Sequence, residues 1–257
     1  MASKGQTTIL AVLPARYAST RFPGKVIAPL AGKPLVWHTY RQTIKSTLVT
    51  ETVVATDDVR VSDALAKYDI PTVMTRADHE SGTDRIAEVA EQSTADIIVN
   101  VQADEPLIDP TTIDMAIRAL IDDPSANMST AKRRITSVED IASPHCVKVV
   151  CDARGHALYF SRAPIPHIRE DADRGPDQSP YWQHIGLYAF RREFLLRYAR
   201  LTPTPLEKLE KLEQLRALEN GHSIAVVETQ YQCIGVDTPD DLARVSNLIS
   251  NAQETCI

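Results

Sequence analysis

Apolar and polar positions alternate along the first half of the chain in a pattern that predicts strands and helices in turn. Residues 8–14 form a mainly apolar run, and Ile97, Ile98 and Val99 stand in unbroken succession. Such runs are typical of parallel strands covered on both faces, whereas apolar residues that recur every three or four positions predict helices. The predicted strands are 8–14, 51–55, 71–74 and 96–101. Four helices are predicted. The first is 35–44, the second is capped by Asp57 or Asp58 and ends at 68, the third is 81–92, and the fourth runs from 109 or 111 to 121.

This order of strands and helices predicts an α/β fold with a doubly wound, mostly parallel sheet. In such sheets, ligands lie beyond the carboxyl ends of the strands. A site is therefore expected in the loops after Leu13, Ala55 and Val101. The chain has 257 residues, the length of one large domain or of one domain with an insertion, and we expect 1–257 to form a single domain.

The second half is less regular, and its pattern predicts a hairpin, two further strands and two further helices. Residues 164–180 contain four of the sixteen prolines and are expected to form a loop. The hairpin pairs 146–150 with 156–160 and turns at 153–155; the strands are 184–190 and 223–228; the helices are 191–198 and 238–249, the last with Thr238 as its N-cap.

Five leucines follow one another at a spacing of three between positions 206 and 218, and this spacing predicts one helix. Each step of three falls about 60° short of a full turn, so the five side chains cover an arc of about 240°. A helix on a protein surface needs an apolar stripe of only about 100°. We therefore expect the helix to be covered on two sides, either at a dimer interface or between two layers of the same chain.

The composition excludes several classes of protein. Hydrophobic residues make up 43% of the chain and charged residues 24%, unlike a disordered, collagen-like or coiled-coil protein. No apolar run approaches the roughly 20 residues of a membrane helix, and a net charge of −6 argues against nucleic acid as a partner. Four scattered cysteines, at 146, 151, 233 and 256, favour a reduced, cytoplasmic protein over a disulfide scaffold.

Basic residues are concentrated near the start of the chain. The first 50 residues hold seven lysines and arginines and no acidic residue, which suggests a local site for an anion. Three of them, Arg16, Arg21 and Lys25, share the loop after the first predicted strand. A triphosphate carries about four negative charges and needs several fixed cations, so this loop is a candidate triphosphate site. It lacks the spacing of a Walker A motif, and a solvated basic loop is the alternative.

Acidic residues follow two other predicted strands. Asp104 and Glu105 come directly after the buried strand 96–101, and Asp237 follows a late strand. Mg²⁺ prefers one or two carboxylates together with phosphate oxygens and water; carboxylates that only cap helices are the alternative. Together, a cation-rich loop and two separated acids indicate phosphoryl or nucleotidyl transfer.

The segment 76–85 also contains the residue types of a hydrolase, His79, Ser81 and Asp84. It has no Gly-x-Ser-x-Gly turn, and residues this close in sequence rarely build a catalytic triad. Ser81 or Thr83 is therefore predicted to be the N-cap of the helix 81–92.

Residues 14–25, PARYASTRFPGK, resemble the N-terminal motif of the 3-deoxy-manno-octulosonate cytidylyltransferases, also called CMP-Kdo synthetases. Further matches follow in the order of that family over nearly the whole chain, which is far more specific than any single motif. They lie at 54–57, 74–79, 81–83, 99–102, 104–106, 157–163, 184–186, 212–216 and 235–239.

The resemblance implies an α/β nucleotidyltransferase fold with a smaller, β-rich lobe, at about 151–222, that binds the sugar acid and forms a homodimer. It also implies an activity, in which CTP and the eight-carbon acid sugar Kdo give CMP-Kdo and pyrophosphate, with Mg²⁺, for lipopolysaccharide biosynthesis. CTP, Kdo and a second copy of the chain are then the expected partners.

The resemblance further implies roles for individual residues. The residues expected to bind CTP are Leu13, Ala15, Arg16, Arg21, Lys25, Arg76 and Ser81. Asp104 and Asp237 are expected to hold magnesium, and these two with Arg16 and Lys25 form the expected catalytic set. The residues expected to bind the sugar acid are Gln102, Arg162, His184, Tyr188 and Glu213.

Two positions depart from the family pattern. Ala103 stands where the family usually has Gly, which requires a negative φ and no close phosphate oxygen; Val26 stands where the family usually has Pro. Neither change removes a charge. The alternative functions are a cytidylyltransferase for the 8-amino analogue of Kdo or another acid sugar, a glycosyltransferase that uses a nucleotide sugar, and an inactive nucleotide-binding relative.

Overall fold

The computed structural model describes residues 7–19, 21–170 and 179–254. Its strands are β1 Ile9–Pro14, β2 Pro29–Leu30, β3 Lys33–Pro34, β4 Glu51–Thr56, β5 Thr72–Met74, β6 Ile97–Asn100, β7 Met128–Arg134, β8 Lys148–Cys151, β9 Ala157–Ser161, β10 Trp182–Arg191 and β11 Ile224–Glu228. Its α-helices are α1 Leu35–Thr43, α2 Val59–Ala66, α3 Gly82–Glu91, α4 Pro110–Asp122, α5 Val138–Ala142, α6 Arg192–Tyr198, α7 Pro205–Glu210, α8 Gln214–Glu219 and α9 Pro239–Glu254. The elements predicted in the first half are present, with ends shifted by at most two residues. No helix within these ranges has the length and apolar character needed to span a membrane.

The packing of the chain separates two compact units. The first combines 1–114 with the C-terminal segment 233–257, and the second is 115–232. The lobe predicted at 151–222 falls within the second unit. Its role in sugar-acid binding and dimerisation, and the treatment of 1–257 as one domain, stay predictions.

The first unit is built on a parallel sheet, as the sequence predicts. Its strands lie in the order β6, β1, β4, β5, and every neighbouring pair is parallel. Consecutive residues of β1 and of β6 are buried, so both faces of the sheet are covered here. Because the strands are parallel, their carboxyl ends, at Pro14, Thr56 and Asn100, lie at the same edge.

Side-chain caps determine where three helices of this unit begin. Asp58 accepts a backbone N–H at the start of α2. Ser81 and Asp84 form a capping box at the start of α3, and Thr238 exchanges hydrogen bonds with Asp241 at the start of α9. Each cap satisfies N–H groups that have no partner within the helix. These caps are among those predicted from the sequence.

The C-terminal segment carries Asp237 into the first unit. Val236 and Val245 are fully buried in a cluster with Leu30 and Leu35. Burial of this apolar cluster stabilises the contact between α9 and the start of α1, and it places Asp237 at the end of an anchored segment.

The second unit contains a mixed sheet. Strand β7 is parallel to β11 and antiparallel to β10, and β8 is antiparallel to both β9 and β10. The β8–β9 hairpin confirms the predicted one, and its turn includes Gly155 with a φ of 84°.

Strand β7 was not predicted, because two of its buried residues are polar. Ser129 and Thr130 are fully buried. The hydroxyl of Ser129 donates to the carbonyl of Ala116 at 2.6 Å, and that of Thr130 to the carbonyl of Leu187 at 2.8 Å. A hydroxyl that donates to a backbone carbonyl can be buried at little cost, and a search for apolar runs misses such a strand.

The single helix predicted from the leucines between 206 and 218 is wrong. Two short helices, α7 and α8, stand in its place, because Lys211 adopts a left-handed conformation with a φ of 53° that ends α7. Leu209 is 80% exposed, whereas Leu215 is fully buried. The leucines therefore do not form one continuous apolar arc, and the predicted homodimer stays a prediction.

A buried ion pair joins α7 to α8. Arg216 donates from Nε to Glu207 Oε2 at 2.9 Å and from Nη2 to Glu207 Oε1. Both side chains are 9% exposed. The two-point geometry satisfies both charges in a place from which water is largely excluded.

Replacement of Glu207 by Gln is expected to lower the free energy of unfolding by about 3–5 kcal/mol, because Arg216 would keep a buried charge without its partner. Urea denaturation of the variant and the wild type measures the change. Leu209→Ala, an exposed substitution in the same helix, is the control and is expected to change stability by no more than about 0.5 kcal/mol. A Glu207→Gln variant as stable as the wild type would contradict the prediction.

Candidate functional site

The basic loop begins where β1 ends and closes on a short 3₁₀ helix, Lys25–Ile27. Gly24 has a φ of 72°, and its N–H donates to the carbonyl of Tyr17 at 2.8 Å. A Cβ at this position would lie 3.2 Å from the Tyr17 ring, so both the backbone conformation and the packing favour glycine. Arg60 stacks on the same ring at 3.5 Å and forms an ion pair with Asp58. These contacts hold the loop in a defined shape.

Lys25 lies between the two predicted metal ligands. Its Nζ donates to Asp104 Oδ2 at 2.5 Å and to Asp237 Oδ1 at 2.9 Å. Arg21 makes a further ion pair with Asp237 at 3.0 Å. Asp104 lies 79 positions and Asp237 lies 212 positions from Lys25 in the sequence, yet both meet its ammonium group.

Hydrogen bonds connect the segments that carry the two aspartates. The N–H of Val236 donates to the carbonyl of Asp104 at 2.9 Å, which joins the residue before Asp237 to the loop after β6. The hydroxyl of Thr39, on α1, donates to the carbonyl of Ala103 at 3.0 Å. Ala103 is not among the described residues with a positive φ, so its backbone conformation accommodates a methyl group in place of the family's glycine.

The charges of this cluster stabilise one another. Burial alone would lower the pKa of Lys25, but the charge of Asp104 and the hydrogen bonds to both aspartates raise it above its ordinary value. Burial would raise the pKa of Asp237, but the hydrogen bond and charge of Lys25, with Arg21, lower it. Lys25 and Asp237 are therefore charged at neutral pH.

A cavity of about 380 Å³ opens among these residues, a volume within the range of small-molecule sites. It brings together the three predicted triphosphate cations, both predicted metal ligands and Gln102. Its lining consists of Pro14, Arg16, Ala18, Ser19, Arg21, Lys25, Val26, Gly82, Gln102, Ala103, Asp104 and Asp237.

The guanidinium of Arg16, which lines this cavity, includes a buried hydrogen-bond donor. Its Nη2 makes no hydrogen bond within the described part of the chain. A buried donor without an acceptor is unfavourable, and an anion would satisfy it. Arg16, Arg21 and Lys25 carry three positive charges beside the two carboxylates, and this excess also favours an anion.

The two carboxylates fit a divalent cation. Both approach one positively charged atom, and Mg²⁺ takes one or two carboxylates with phosphate oxygens and water as its remaining ligands. Over the described ranges there is no group of three or more His, Cys, Asp or Glu side chains suited to a metal. A divalent cation held by these two residues would therefore depend on phosphate oxygens or water for the rest of its coordination.

Two of the residues predicted to bind CTP, Leu13 and Ala15, are fully buried beside the cavity-lining Pro14. Gly82 also lines the cavity but was not predicted from the sequence. The sequence feature that could have indicated Gly82 is the capping box of Ser81, because it marks the first turn of α3. The N-terminus of a helix favours anions through its unpaired N–H groups.

The segment 76–80 is arranged differently. Arg76 is an exposed side chain that pairs with Asp78 at 3.3 Å, while its backbone N–H donates to Glu88 at 3.1 Å. The ring of His79 bonds the same carboxylate, and Ser81 is engaged as a helix cap. The hydrolase-like triad considered from the sequence is therefore not formed. The predicted roles of Arg76 and Ser81 toward CTP stay predictions.

Predicted sugar-binding residues of the second unit meet around β10. His184 and Tyr188 have ring centroids 5.4 Å apart, and His184 shares a hydrogen bond with Thr130 at 2.9 Å. Burial lowers the pKa of His184 to about 3, so its ring is neutral at pH 7. Burial, together with Tyr198 and Glu213, raises the pKa of Tyr188 well above its ordinary value. Both side chains are therefore uncharged hydrogen-bonding groups.

Arg162 is tied to the turn that precedes Glu213. Its guanidinium donates to the carbonyls of Glu210 at 2.7 Å, Lys211 at 3.3 Å and Pro144 at 2.8 Å. These bonds connect the end of β9 to the break between α7 and α8. Direct binding of a sugar acid by Arg162 stays a prediction.

Comparison with known proteins gives consistent results. A family model described as cytidylyltransferase matches residues 10–224. The 3-deoxy-manno-octulosonate cytidylyltransferase of Geobacter metallireducens is 54% identical over 251 residues, which are 95% of this chain and 99% of the relative. The protein of the same name from Solibacter usitatus is 54% identical over 240 residues, or 93% of this chain and 94% of the relative.

A solved structure agrees with these relatives. A CMP:2-keto-3-deoxy-manno-octonic acid synthetase complexed with CTP has a TM-score of 0.90 to this chain at 41% identity, and the match covers 96% of this chain and all of the other. This likeness confirms the predicted α/β fold of the nucleotidyltransferase type. With the identity to the curated relatives, it establishes that the chain belongs to the 3-deoxy-manno-octulosonate cytidylyltransferase family.

Proposed function

We propose that this protein transfers a cytidylyl group from CTP to Kdo and so supplies CMP-Kdo for lipopolysaccharide biosynthesis. The observation that carries the proposal is the convergence of three basic and two acidic side chains on one cavity, in a chain that belongs to this family. Nucleotidyl transfer requires cations beside the phosphates and carboxylates beside a metal ion.

In the proposed reaction the anomeric hydroxyl of Kdo attacks the α-phosphorus of CTP. A phosphorus–oxygen bond to the sugar forms, the bond to pyrophosphate breaks, and the hydroxyl proton passes to solvent. Arg16 and Lys25 would stabilise the charge that develops on the departing pyrophosphate, and Arg21 would bind the triphosphate at the mouth of the cavity, where its side chain is exposed.

Asp104 and Asp237 are the proposed ligands of a magnesium ion. When bound, the ion would polarise the α-phosphate and lower the pKa of the attacking hydroxyl. The lowered pKa of Asp237 keeps this carboxylate ionised at neutral pH, as a metal ligand must be. Ala103 leaves both carboxylates in place, so it does not by itself indicate an inactive relative.

Binding of the sugar acid is proposed for Gln102 and for the second-unit residues Arg162, His184, Tyr188 and Glu213. Because His184 and Tyr188 are neutral at pH 7, they suit the hydroxyl groups of a sugar better than its carboxylate. A homodimer in the cytoplasm is also proposed, as the family resemblance implies.

Pyrophosphate release from CTP and Mg²⁺ with a panel of acid sugars tests the proposed function. We expect release with Kdo and little with the other sugars. Release with the 8-amino analogue or another acid sugar alone would change the substrate and keep the cytidylyl transfer. No release with any sugar would refute the activity and favour a glycosyltransferase or an inactive relative.

Lys25→Ala is expected to lower kcat by a factor of about 100 or more, because one cation beside the leaving pyrophosphate is lost. Pyrophosphate release measures kcat, and circular dichroism checks that the variant is folded. Lys45→Ala is the matched control, since Lys45 is exposed and its ammonium donates to Gln42. Full activity of Lys25→Ala would count against the role of the loop.

His184→Asn is expected to raise the KM for Kdo about 3–10-fold, which is the effect of one weakened hydrogen bond, and to leave the KM for CTP within a factor of about two. Initial rates at varied concentrations of each substrate separate the two constants. The exposed His145→Asn is the control in the same unit. An equal rise in both KM values would indicate a general structural effect instead of sugar binding.

A further inference from the structure

The position proposed for the metal ion already holds a cation. The Nζ of Lys25 lies 2.5 Å from Asp104 Oδ2 and 2.9 Å from Asp237 Oδ1. Mg²⁺ binds oxygen ligands at about 2.0–2.1 Å, so an ion held by these same two oxygens would overlap the ammonium group. Lys25 and a divalent cation therefore cannot occupy both carboxylates at once.

We infer that Lys25 is a positioning residue that holds the two carboxylates together in the nucleotide-free protein. It excludes a divalent cation from them until a triphosphate binds the lysine in their place. The inference rests on the proposed function, because it assumes that the cavity binds a nucleoside triphosphate. It adds an order of events, in which the nucleotide binds first or together with the metal.

The two carboxylates need a cation between them to lie so close together. Asp104 and Asp237 are 29% and 47% exposed, and two like charges at one place repel each other. Lys25, only 12% exposed, is the most buried of the three side chains. Its ammonium removes the repulsion and holds both ligand oxygens in position before the metal arrives.

Lys25 needs a new partner before it can leave the two aspartates. Withdrawal from both aspartates would leave a largely buried ammonium unpaired, which is strongly unfavourable. A triphosphate in the same cavity supplies oxygen acceptors for Lys25. Nη2 of Arg16, which makes no hydrogen bond to any described residue, is a second donor for the same phosphates. Phosphate oxygens would also complete the coordination that two carboxylates leave unfilled.

The consequence is a thermodynamic coupling between the two ligands. A divalent cation alone must displace Lys25 without compensation, so it binds weakly. Once the triphosphate holds Lys25, the carboxylates are available and the cation binds more tightly. Linkage requires that the cation raise the affinity for the nucleotide by the same factor.

Binding of Mn²⁺ to the nucleotide-free protein tests the inference. The free ion is counted by electron paramagnetic resonance in titrations of the wild type, of Lys25→Met and of Lys45→Met. Lys25→Met is expected to bind Mn²⁺ at least tenfold more tightly than the wild type, although it loses activity. Lys45→Met removes the same charge from the same unit and is expected to bind like the wild type. Equal affinities of the wild type and Lys25→Met would overturn the inference.

A measurement on the wild type alone covers the case in which Lys25→Met does not fold. CTP in the presence of EDTA is expected to raise the Tm, because a ligand that binds only the folded state stabilises it. Mn²⁺ alone at about 1 mM is expected to leave the Tm unchanged, because an ion whose Kd lies well above its concentration adds little stability. A rise in Tm with Mn²⁺ alone as large as with CTP would overturn the inference and would leave pyrophosphate release from CTP and Kdo untouched. Conversely, failure of that release would refute the proposed function whatever the Mn²⁺ affinities are.

Discussion

The site depends on one ammonium group that two carboxylates share. Lys25 comes from the loop after β1, Asp104 from the loop after β6, and Asp237 from the segment that leads into α9. Parallel pairing of the strands brings the first two loops to one edge of the sheet. The third arrives because Val236 is buried and donates to the carbonyl of Asp104. The chemistry of the cavity follows from this meeting of three segments.

The balance of charge in the cavity explains which ligand it favours. Lys25 and Arg21 neutralise the two carboxylates, while Arg16 retains a buried donor that has no partner among the described residues. An anion with several oxygens satisfies Arg16 and can draw Lys25 away from the carboxylates. The same carboxylates then favour a divalent cation beside that anion. Cation and anion sites are therefore parts of one electrostatic arrangement.

Buried polar groups with complete sets of partners hold the second unit in place. Lys148 is fully buried, and its ammonium donates to the carbonyls of Ser143, Cys146 and Arg162. Arg162 in turn donates to the carbonyls of the turn between α7 and α8. A buried polar network stiffens the surrounding structure when its donors are satisfied. These bonds hold Arg162, one of the residues proposed to bind the sugar acid.

Periodicity, capping and motifs are local, so the sequence was enough to predict the four strands of the parallel sheet, the helices α1, α2, α3 and α9, the caps at Asp58, Ser81 and Thr238, the cation-rich loop and the family. Three features emerge only in the folded chain: β7 buries two hydroxyl residues, Lys211 divides the leucine segment into two helices, and one lysine joins two distant aspartates. These features depend on partners far away in the chain. A pattern of neighbouring residues contains no distance to such partners, so their contacts are set only when the whole chain packs.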